Sequence, residues 1–176
     1  MFNFFKKKER AEFVSPCDGY LKNLSEVNDR VFSSGAMGPG FAVKPSGQTV
    51  VSPVSGQILM IAETKHAIGI KADNGAEIII HMGINSVDLK GKPFSVKISK
   101  GDHVKQGQPL VNYDYSILEK NDLDTDIMIV FSNRKDPIIV EDMAIVLIKY
   151  LRRLLYLQSQ LLYLVSNLNH LSHLLG

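Results

Sequence analysis

The sequence has little of what marks a disulfide-stabilised, nucleic-acid-binding or membrane-spanning protein. Its 176 residues contain one cysteine, Cys17, which cannot form an internal disulfide and fits the reducing cytosol. The formal net charge of +2 is too small to indicate a nucleic acid as partner. The N-terminus lacks the apolar core of a signal peptide, and polar residues interrupt every C-terminal window long enough for a transmembrane helix. We therefore expect a cytoplasmic protein.

Composition divides the chain into three parts. Hydrophobic residues make up 45% of the sequence and charged residues 22%, as in a globular protein that can bury a core. We predict a basic and aromatic segment over residues 1–12, a domain over 13–142 and a leucine-rich tail over 143–176, which lacks Asp and Glu. The phenylalanines and lysines of the first segment predict at most a weak association with a membrane surface, which places the protein at its inner face.

The domain over 13–142 has the pattern of an all-β protein. Short runs rich in valine and isoleucine are separated by Gly, Pro, Asn and Asp, without helical periodicity over a helix-sized window. The predicted strands include 19–24, 42–43, 57–62, 67–71, 77–82, 94–98, 109–113 and 126–131, and one or two helical turns are predicted over 118–123. This pattern predicts an antiparallel β-sandwich or barrel.

A short internal repeat supports this fold. Residues 14–19 (VSPCDG) recur as residues 51–56 (VSPVSG), and each copy runs into a predicted strand. Proline fixes φ and glycine permits a sharp reversal, so each copy is expected to form a turn that begins a strand. The two copies predict a sandwich built from related halves.

Two histidines are predicted to lie together on one β-hairpin. Asn74-Gly75 is a strong hairpin signal, because a type I′ turn needs positive φ at both central residues. With these two residues as the loop, Ile68 faces His81, and His66 becomes a diagonal neighbour of His81 on the same face. Thr64 is expected on that face as well.

Three kinds of chemistry fit two neighbouring imidazoles. They are buried, hydrogen-bonded side chains in the simplest interpretation. In the second they bind zinc, although two ligands are too few for a zinc site. A zinc hydrolase would also need a further ligand, and His103 is the only other histidine of the domain. In the third, one imidazole attacks phosphorus and forms a phosphohistidine, while the other donates a hydrogen bond to the phosphoryl oxygens.

Three motifs in a fixed order surround the histidines. Thr64-Lys65-His66 is followed by His81-Met82-Gly83-Ile84 and then by Val87-Asp88-Leu89-Lys90-Gly91. This arrangement resembles the glucose-type enzyme IIA family of the bacterial sugar phosphotransferase system. The resemblance extends from residue 13 to about residue 133 and implies an antiparallel β-sandwich.

The resemblance implies a role for each of three residues. His81 resembles the phosphorylated histidine, which attacks through Nε2, His66 resembles the partner that hydrogen-bonds the phosphoryl group, and Thr64 resembles the hydroxyl that orients His66. The donor would be the histidine-containing phosphocarrier protein, and the acceptor a cysteine on the IIB domain of a sugar permease. No cofactor is required. The alternative is a zinc-binding, non-catalytic regulatory module on the same fold, with His66 and His81 completed by a ligand from a partner.

A partner-binding surface is also implied by the resemblance. Its expected members are Asp29, Val31, Phe32, Ala36, Met37, Ile79 and Asn85. Asn85 stands where the family has an aspartate, so the local charge near His81 should differ while the nucleophile remains. The family also ends in a Gly-x-x-Val turn and a closing strand, and no such turn follows Asn133.

The leucine-rich tail has a heptad pattern. Spacings of three and four alternate over about four heptads, as in a coiled coil. The positions are Leu147, Tyr150, Leu154, Leu157, Leu161, Leu164, Leu168, Leu171 and Leu175. The pattern predicts a helix that forms a homo-oligomer or binds a partner. The alternatives are a helix on a membrane surface, a tail foreign to the family, and a closing strand over 143–150.

Overall fold

The computed structural model describes residues 13–135. All of them lie in the first of the two units into which the chain divides, Met1–Ile138. The predicted N-terminal segment 1–12, the predicted domain end at residue 142 and the leucine-rich tail 143–176 lie outside the described residues.

Short β-strands make up most of the regular secondary structure of the described chain. They are β1 (Gly19–Asn23), β2 (Gly40–Pro45), β3 (Thr49–Val51), β4 (Gly56–Ile61), β5 (Ala67–Ala72), β6 (Glu77–Met82), β7 (Phe94–Val96), β8 (His103–Val104), β9 (Pro109–Tyr113) and β10 (Ile127–Phe131). Helical residues form α1 (Arg30–Ser33), α2 (Ser116–Glu119) and 3-10 turns at Leu24–Glu26 and Ser86–Leu89. The all-β prediction is confirmed. The prediction missed β3 and β8 because strands so short carry no visible alternation, and it placed the helical turn of α2 too late.

The strands form two antiparallel sheets. One has the order β1-β2-β10-β6-β5-β4-β8 and the other the order β3-β9-β7. The side chains of Ile78, Ile80 and Met82 alternate along β6 with those of Ile79 and His81, and only the first set is fully buried. Each fully buried isoleucine contributes roughly 1.5–3 kcal/mol relative to an exposed one. β6 therefore holds His81 on the outer face while its other face is anchored in the core.

A second, smaller apolar cluster lies on this outer face. The segment between β1 and β2 contributes buried Leu24, Val27 and Phe32, which pack with Ala42 and Ile84. Met128 and Val130 of β10 complete the cluster, and the partly buried Ile79 packs against it. The cluster fixes the α1 segment beside His81.

The two copies of the repeat pair with each other. The Val14 amide donates to the Pro53 carbonyl (3.1 Å), and the Val51 amide donates to the Pro16 carbonyl (2.7 Å). The glycines that end the copies begin β1 and β4. Each copy therefore precedes a strand as predicted, and both strands belong to the seven-stranded sheet.

The predicted register of the β5–β6 hairpin is wrong by one residue. Ala67, and not Ile68, pairs with His81. The Ala72 amide donates to the Ala76 carbonyl and the Gly75 amide to the Ala72 carbonyl, so three residues form the loop. Only Gly75 has positive φ (+84°), which indicates a turn followed by a left-handed glycine instead of a type I′ turn.

Candidate active site

His81 lies near the end of a strand that is paired on both sides. It stands opposite Ala67 of β5 and Met128 of β10. Two rings border its imidazole: the centroid of Phe32 lies 4.9 Å away at a tilt of 56°, and that of His66 lies 4.9 Å away at 73°. The structure thus brings the two predicted histidines into ring contact.

His66 reaches this position from a loop and not from a strand. β5 begins only at Ala67, and the Lys65 amide donates to the Ala62 carbonyl (2.8 Å) in the turn that precedes it. The shared face predicted from strand alternation is therefore not the reason for the contact, because alternation in the observed register would separate the two side chains.

Thr64 fixes the orientation of the His66 ring. Its Oγ1 lies 2.6 Å from Nδ1 of His66. Since one ring nitrogen is engaged by this hydrogen bond, the Nε2 edge of His66 remains available for another group. The predicted position of Thr64 beside His66 agrees with this geometry.

The pKa of His81 is lowered to about 4. Burial is the largest cause and the neighbouring His66 the second, since both disfavour the imidazolium. Asp29 and a hydrogen bond to the backbone of Gly83 act in the opposite direction and raise the pKa. Burial also lowers the pKa of His66. At neutral pH the His81 imidazole is therefore neutral, with a lone pair on one nitrogen.

Gly83 supports His81 through its backbone conformation. The hydrogen bond to the imidazole raises the pKa of His81, so the ring donates and the Gly83 carbonyl accepts. The φ of Gly83 is +74°, and a Cβ atom there would lie 2.9 Å from Oη of Tyr113 and collide with Leu118. Only glycine both adopts this left-handed backbone readily and leaves the space beside Leu118 and Tyr113 free. Sequence reasoning included Gly83 in a motif but missed this role.

Asp29 and Phe32 place the α1 segment against the site. The Asp29 carboxylate accepts hydrogen bonds from the amides of Val31 (2.8 Å) and Phe32 (3.2 Å), which caps α1. Phe32 is buried against His81, whereas Val31 is 53% exposed. Ala36 and Met37 follow in the same segment and are exposed.

Three apolar side chains on β4, on β6 and in the turn after β6 remain accessible, and sequence reasoning missed two of them. Ile79 is half-buried on the His81 face of β6 and pairs with Gly69, over which Met60 packs with 40% of its surface exposed. Val87 is exposed in the 3-10 turn that follows Asn85. Asn85 itself is exposed and left-handed (φ +55°). Alternation along β4 could not have identified Met60, because the register with β5 shifts between Ile58 and Met60.

The two imidazoles are an incomplete metal site within residues 13–135. No group of three or more His, Cys, Asp or Glu side chains in this range could hold a metal ion. Two nitrogen ligands make up half of a tetrahedral zinc site. The zinc hypothesis for His66 and His81 therefore needs a further ligand from outside residues 13–135, and it stays a prediction. No helix within the described residues has the length and apolar character required to cross a membrane.

Comparison with known proteins identifies the family. Residues 11–137 match the sequence model described as "phosphoenolpyruvate-dependent sugar phosphotransferase system, EIIA 1". The beta-glucoside-specific EIIBCA component of Bacillus subtilis (strain 168) is 47% identical over 119 residues, which cover 68% of this chain and 20% of that protein. The glucose-specific EIIA component of Bacillus cereus is 41% identical over 133 residues, which cover 76% of this chain and 81% of that protein.

A solved structure agrees with these relatives. The glucose permease IIA from Mycoplasma capricolum superposes with a TM-score of 0.66 at 34% identity, over 70% of this chain and 80% of that one. It confirms the sandwich fold, and the relatives confirm the resemblance read from the histidine motifs. The chain belongs to the EIIA 1 family of the phosphoenolpyruvate-dependent sugar phosphotransferase system.

Proposed function

We propose that this chain is a phosphocarrier in which His81 accepts a phosphoryl group from the histidine-containing phosphocarrier protein and passes it to a cysteine of a IIB domain. The observation that carries the proposal is the contact between the two imidazoles, one neutral and largely buried, the other fixed by Thr64.

The first step needs a neutral nitrogen with a free lone pair. One nitrogen of His81 donates to the Gly83 carbonyl, so the lone pair of the other nitrogen attacks phosphorus. A nitrogen–phosphorus bond forms at His81 as the corresponding bond of the donor histidine breaks, and the donor nitrogen leaves with the electron pair. A pKa of about 4 supports this role, because almost no imidazolium is present at neutral pH.

The second step needs a group that offsets the charge of the phosphoryl oxygens. His66 is placed to donate a hydrogen bond from Nε2, because Nδ1 is held by Thr64. The cysteine thiolate of the IIB domain attacks phosphorus, a sulfur–phosphorus bond forms, and the bond to His81 breaks. Loss of this hydrogen bond should therefore impair transfer onward more than acceptance.

The partners follow from the same proposal. The name of the Bacillus subtilis relative joins A to B and C components in one protein, which supports a IIB domain as acceptor. Exposed Val31, Met37 and Val87 provide an apolar rim suited to transient docking. The remaining predicted contacts, Asp29, Phe32, Ala36, Ile79 and Asn85, belong to the proposal too, as does a cytoplasmic location near a membrane permease.

Phosphorylation can be tested by intact mass. The full chain is incubated with phosphoenolpyruvate, enzyme I and the phosphocarrier protein, with or without a purified IIB domain. The wild type should gain one acid-labile phosphoryl group and lose it to the IIB domain. His81→Ala should gain none, and His66→Ala should gain one and retain it.

His103→Ala is the matched control, because His103 is exposed and pairs with Asp73 away from the two histidines. It should behave as wild type. Undiminished phosphorylation of His81→Ala would exclude His81 as the acceptor. No phosphorylation of the wild type, together with stoichiometric zinc on the purified protein, would favour the zinc-binding module.

A further inference from the structure

The contact between His66 and His81 conflicts with the strand register. Ala67 stands opposite His81, so the side chains of these two residues leave the sheet on the same face. In a continued strand, His66 would point to the other face. Its ring centroid nevertheless lies 4.9 Å from that of His81. The backbone must therefore depart from strand geometry immediately before Ala67.

The departure is located at Lys65. Its φ is +61°, a left-handed conformation that residues with a side chain rarely adopt. The Met82 amide donates to the His66 carbonyl (2.8 Å), but within residues 13–135 the His66 amide makes no bond in return. The hydrogen-bonded ladder between β5 and β6 therefore includes the carbonyl of His66 but not its amide. The left-handed Lys65 directly precedes this break.

A second loop packs against the same bend. Gly91 (φ +81°) lies so close that a Cβ atom there would be 3.3 Å from the Thr64 carbonyl and 3.7 Å from Cδ of Lys65. Four non-glycine residues of the described chain have positive φ. Lys65 lies in the loop before His66, and Asn85 and Lys90 lie in the loop after His81. Only Asp122 lies elsewhere. Strained backbone concentrates at functional sites.

We propose that Lys65 is a positioning residue: its left-handed backbone turns His66 out of strand alternation and holds the imidazole against His81. The contribution of Lys65 is conformational, and its ammonium group is not required. The transfer step in which this matters rests on the function proposed above, whereas the ring geometry itself does not.

Substitutions of Lys65 separate conformation from charge. Lys65→Asn and Lys65→Val both remove the charge, but asparagine tolerates the left-handed region and a β-branched residue does not. Lys65→Asn and Lys65→Gly should transfer the phosphoryl group to the IIB domain within about twofold of wild type, and Lys65→Val about tenfold or more slowly. His81 should still be phosphorylated in all three. Nitrogen-15 NMR should show the His66 Nδ1 resonance displaced only in Lys65→Val.

Two further variants keep the test decisive. Asp122→Val places the same residue at a left-handed position outside the histidine loops (φ +54°) and should lower stability without changing the His66 resonance. If Lys65→Val does not fold, Lys65→Ala replaces it and should still fall below Lys65→Asn in transfer rate.

Equal losses in Lys65→Asn and Lys65→Val would overturn the proposal in favour of a role for the charge. Wild-type transfer and an unchanged His66 resonance in Lys65→Val would overturn it outright. A wild-type protein that accepts no phosphoryl group would refute the proposed function, while the NMR comparison would still decide the role of Lys65.

Discussion

The imidazole of His81 stays neutral because protonation would place a charge in a largely buried position next to a second histidine. The same environment that keeps the imidazole neutral therefore links protonation to folding. An unfolded chain exposes His81 to water and restores the ordinary pKa of 6.5.

This linkage predicts a dependence of stability on pH. Between pH 6.5 and about 4 the unfolded chain binds a proton at His81 that the folded protein does not, so the free energy of unfolding falls as the pH falls through this range. The contribution of neutral His81 to the free energy of unfolding is fully present above pH 6.5. It amounts to about 3 kcal/mol and is lost as the pH falls to about 4. Urea denaturation at a series of pH values should show a shallower fall in His81→Gln than in wild type. Identical slopes would mean that His81 is not the linked group.

Gly83 allows a second prediction at the residue scale. Gly83→Ala forces both a left-handed alanine and a collision with Leu118 and the Tyr113 hydroxyl, so it should lower the free energy of unfolding by roughly 2–4 kcal/mol. Phosphorylation of His81 should slow as well, because the Gly83 carbonyl holds the imidazole. Thermal unfolding and intact mass measure the two effects.

Gly101→Ala is the control for backbone strain alone. Gly101 is also left-handed (φ +96°), but no atom lies within 4 Å of the position that its Cβ would occupy. It should cost only about 1 kcal/mol and leave phosphorylation unchanged. Equal losses in the two variants would show that crowding at Gly83 is unimportant.

At the scale of elements, the β5–β6 hairpin shows what sequence patterns capture. The strand bounds of β6 were predicted without error, because Ile78, Ile80 and Met82 alternate with half-buried residues. Asn74-Gly75 correctly located the turn but not its type, since a two-residue and a three-residue loop both place glycine at a left-handed position. One residue of loop length shifts every cross-strand pair.

The histidine pair was predicted correctly through an incorrect register. The motifs around His66 and His81 identified the family, and the resemblance implied the same pair independently of the register. The bend at Lys65 could not be predicted, because lysine is not a residue that favours positive φ and nothing in the sequence marks it. The position of Phe32 against His81 was also beyond prediction, since it depends on how a loop folds back onto the sheet.

Gly75 tests the turn itself. Gly75 is left-handed with open space around it, so Gly75→Val should destabilise the protein by backbone strain alone, by about 1–2 kcal/mol. The register should survive, because β6 is paired with β10 on its other side and Asn133 bonds to both the Gly75 carbonyl and the Glu77 amide. Thermal unfolding should show the loss, and phosphorylation below the melting temperature should be normal.

Gly75→Asn should recover most of the stability, because asparagine tolerates positive φ. If Gly75→Val abolished phosphorylation at a temperature where the protein is folded, the histidines would depend on the turn more closely than the pairing of β6 indicates.

At the scale of the whole molecule, the leucine-rich tail 143–176 is predicted to determine the oligomeric state. A heptad pattern with leucine at nearly every position predicts self-association, because burying each leucine contributes roughly 2 kcal/mol. Light scattering should find the full chain oligomeric and a chain truncated after residue 150, which keeps the stretch 143–150, monomeric. Monomers in both cases, with and without detergent, would favour a tail foreign to the family.

The division of the two histidines between a strand and a loop has a consequence for motion. His81 belongs to β6, whose neighbours β5 and β10 flank it on both sides, whereas residues 62–66 form the connection between β4 and β5. Amide hydrogens in β6 should thus exchange with deuterated solvent only on near-global unfolding, and those of the connection much sooner. The atom proposed to carry phosphorus thus lies on a strand that opens slowly, and the imidazole proposed to assist it lies on a segment that opens sooner.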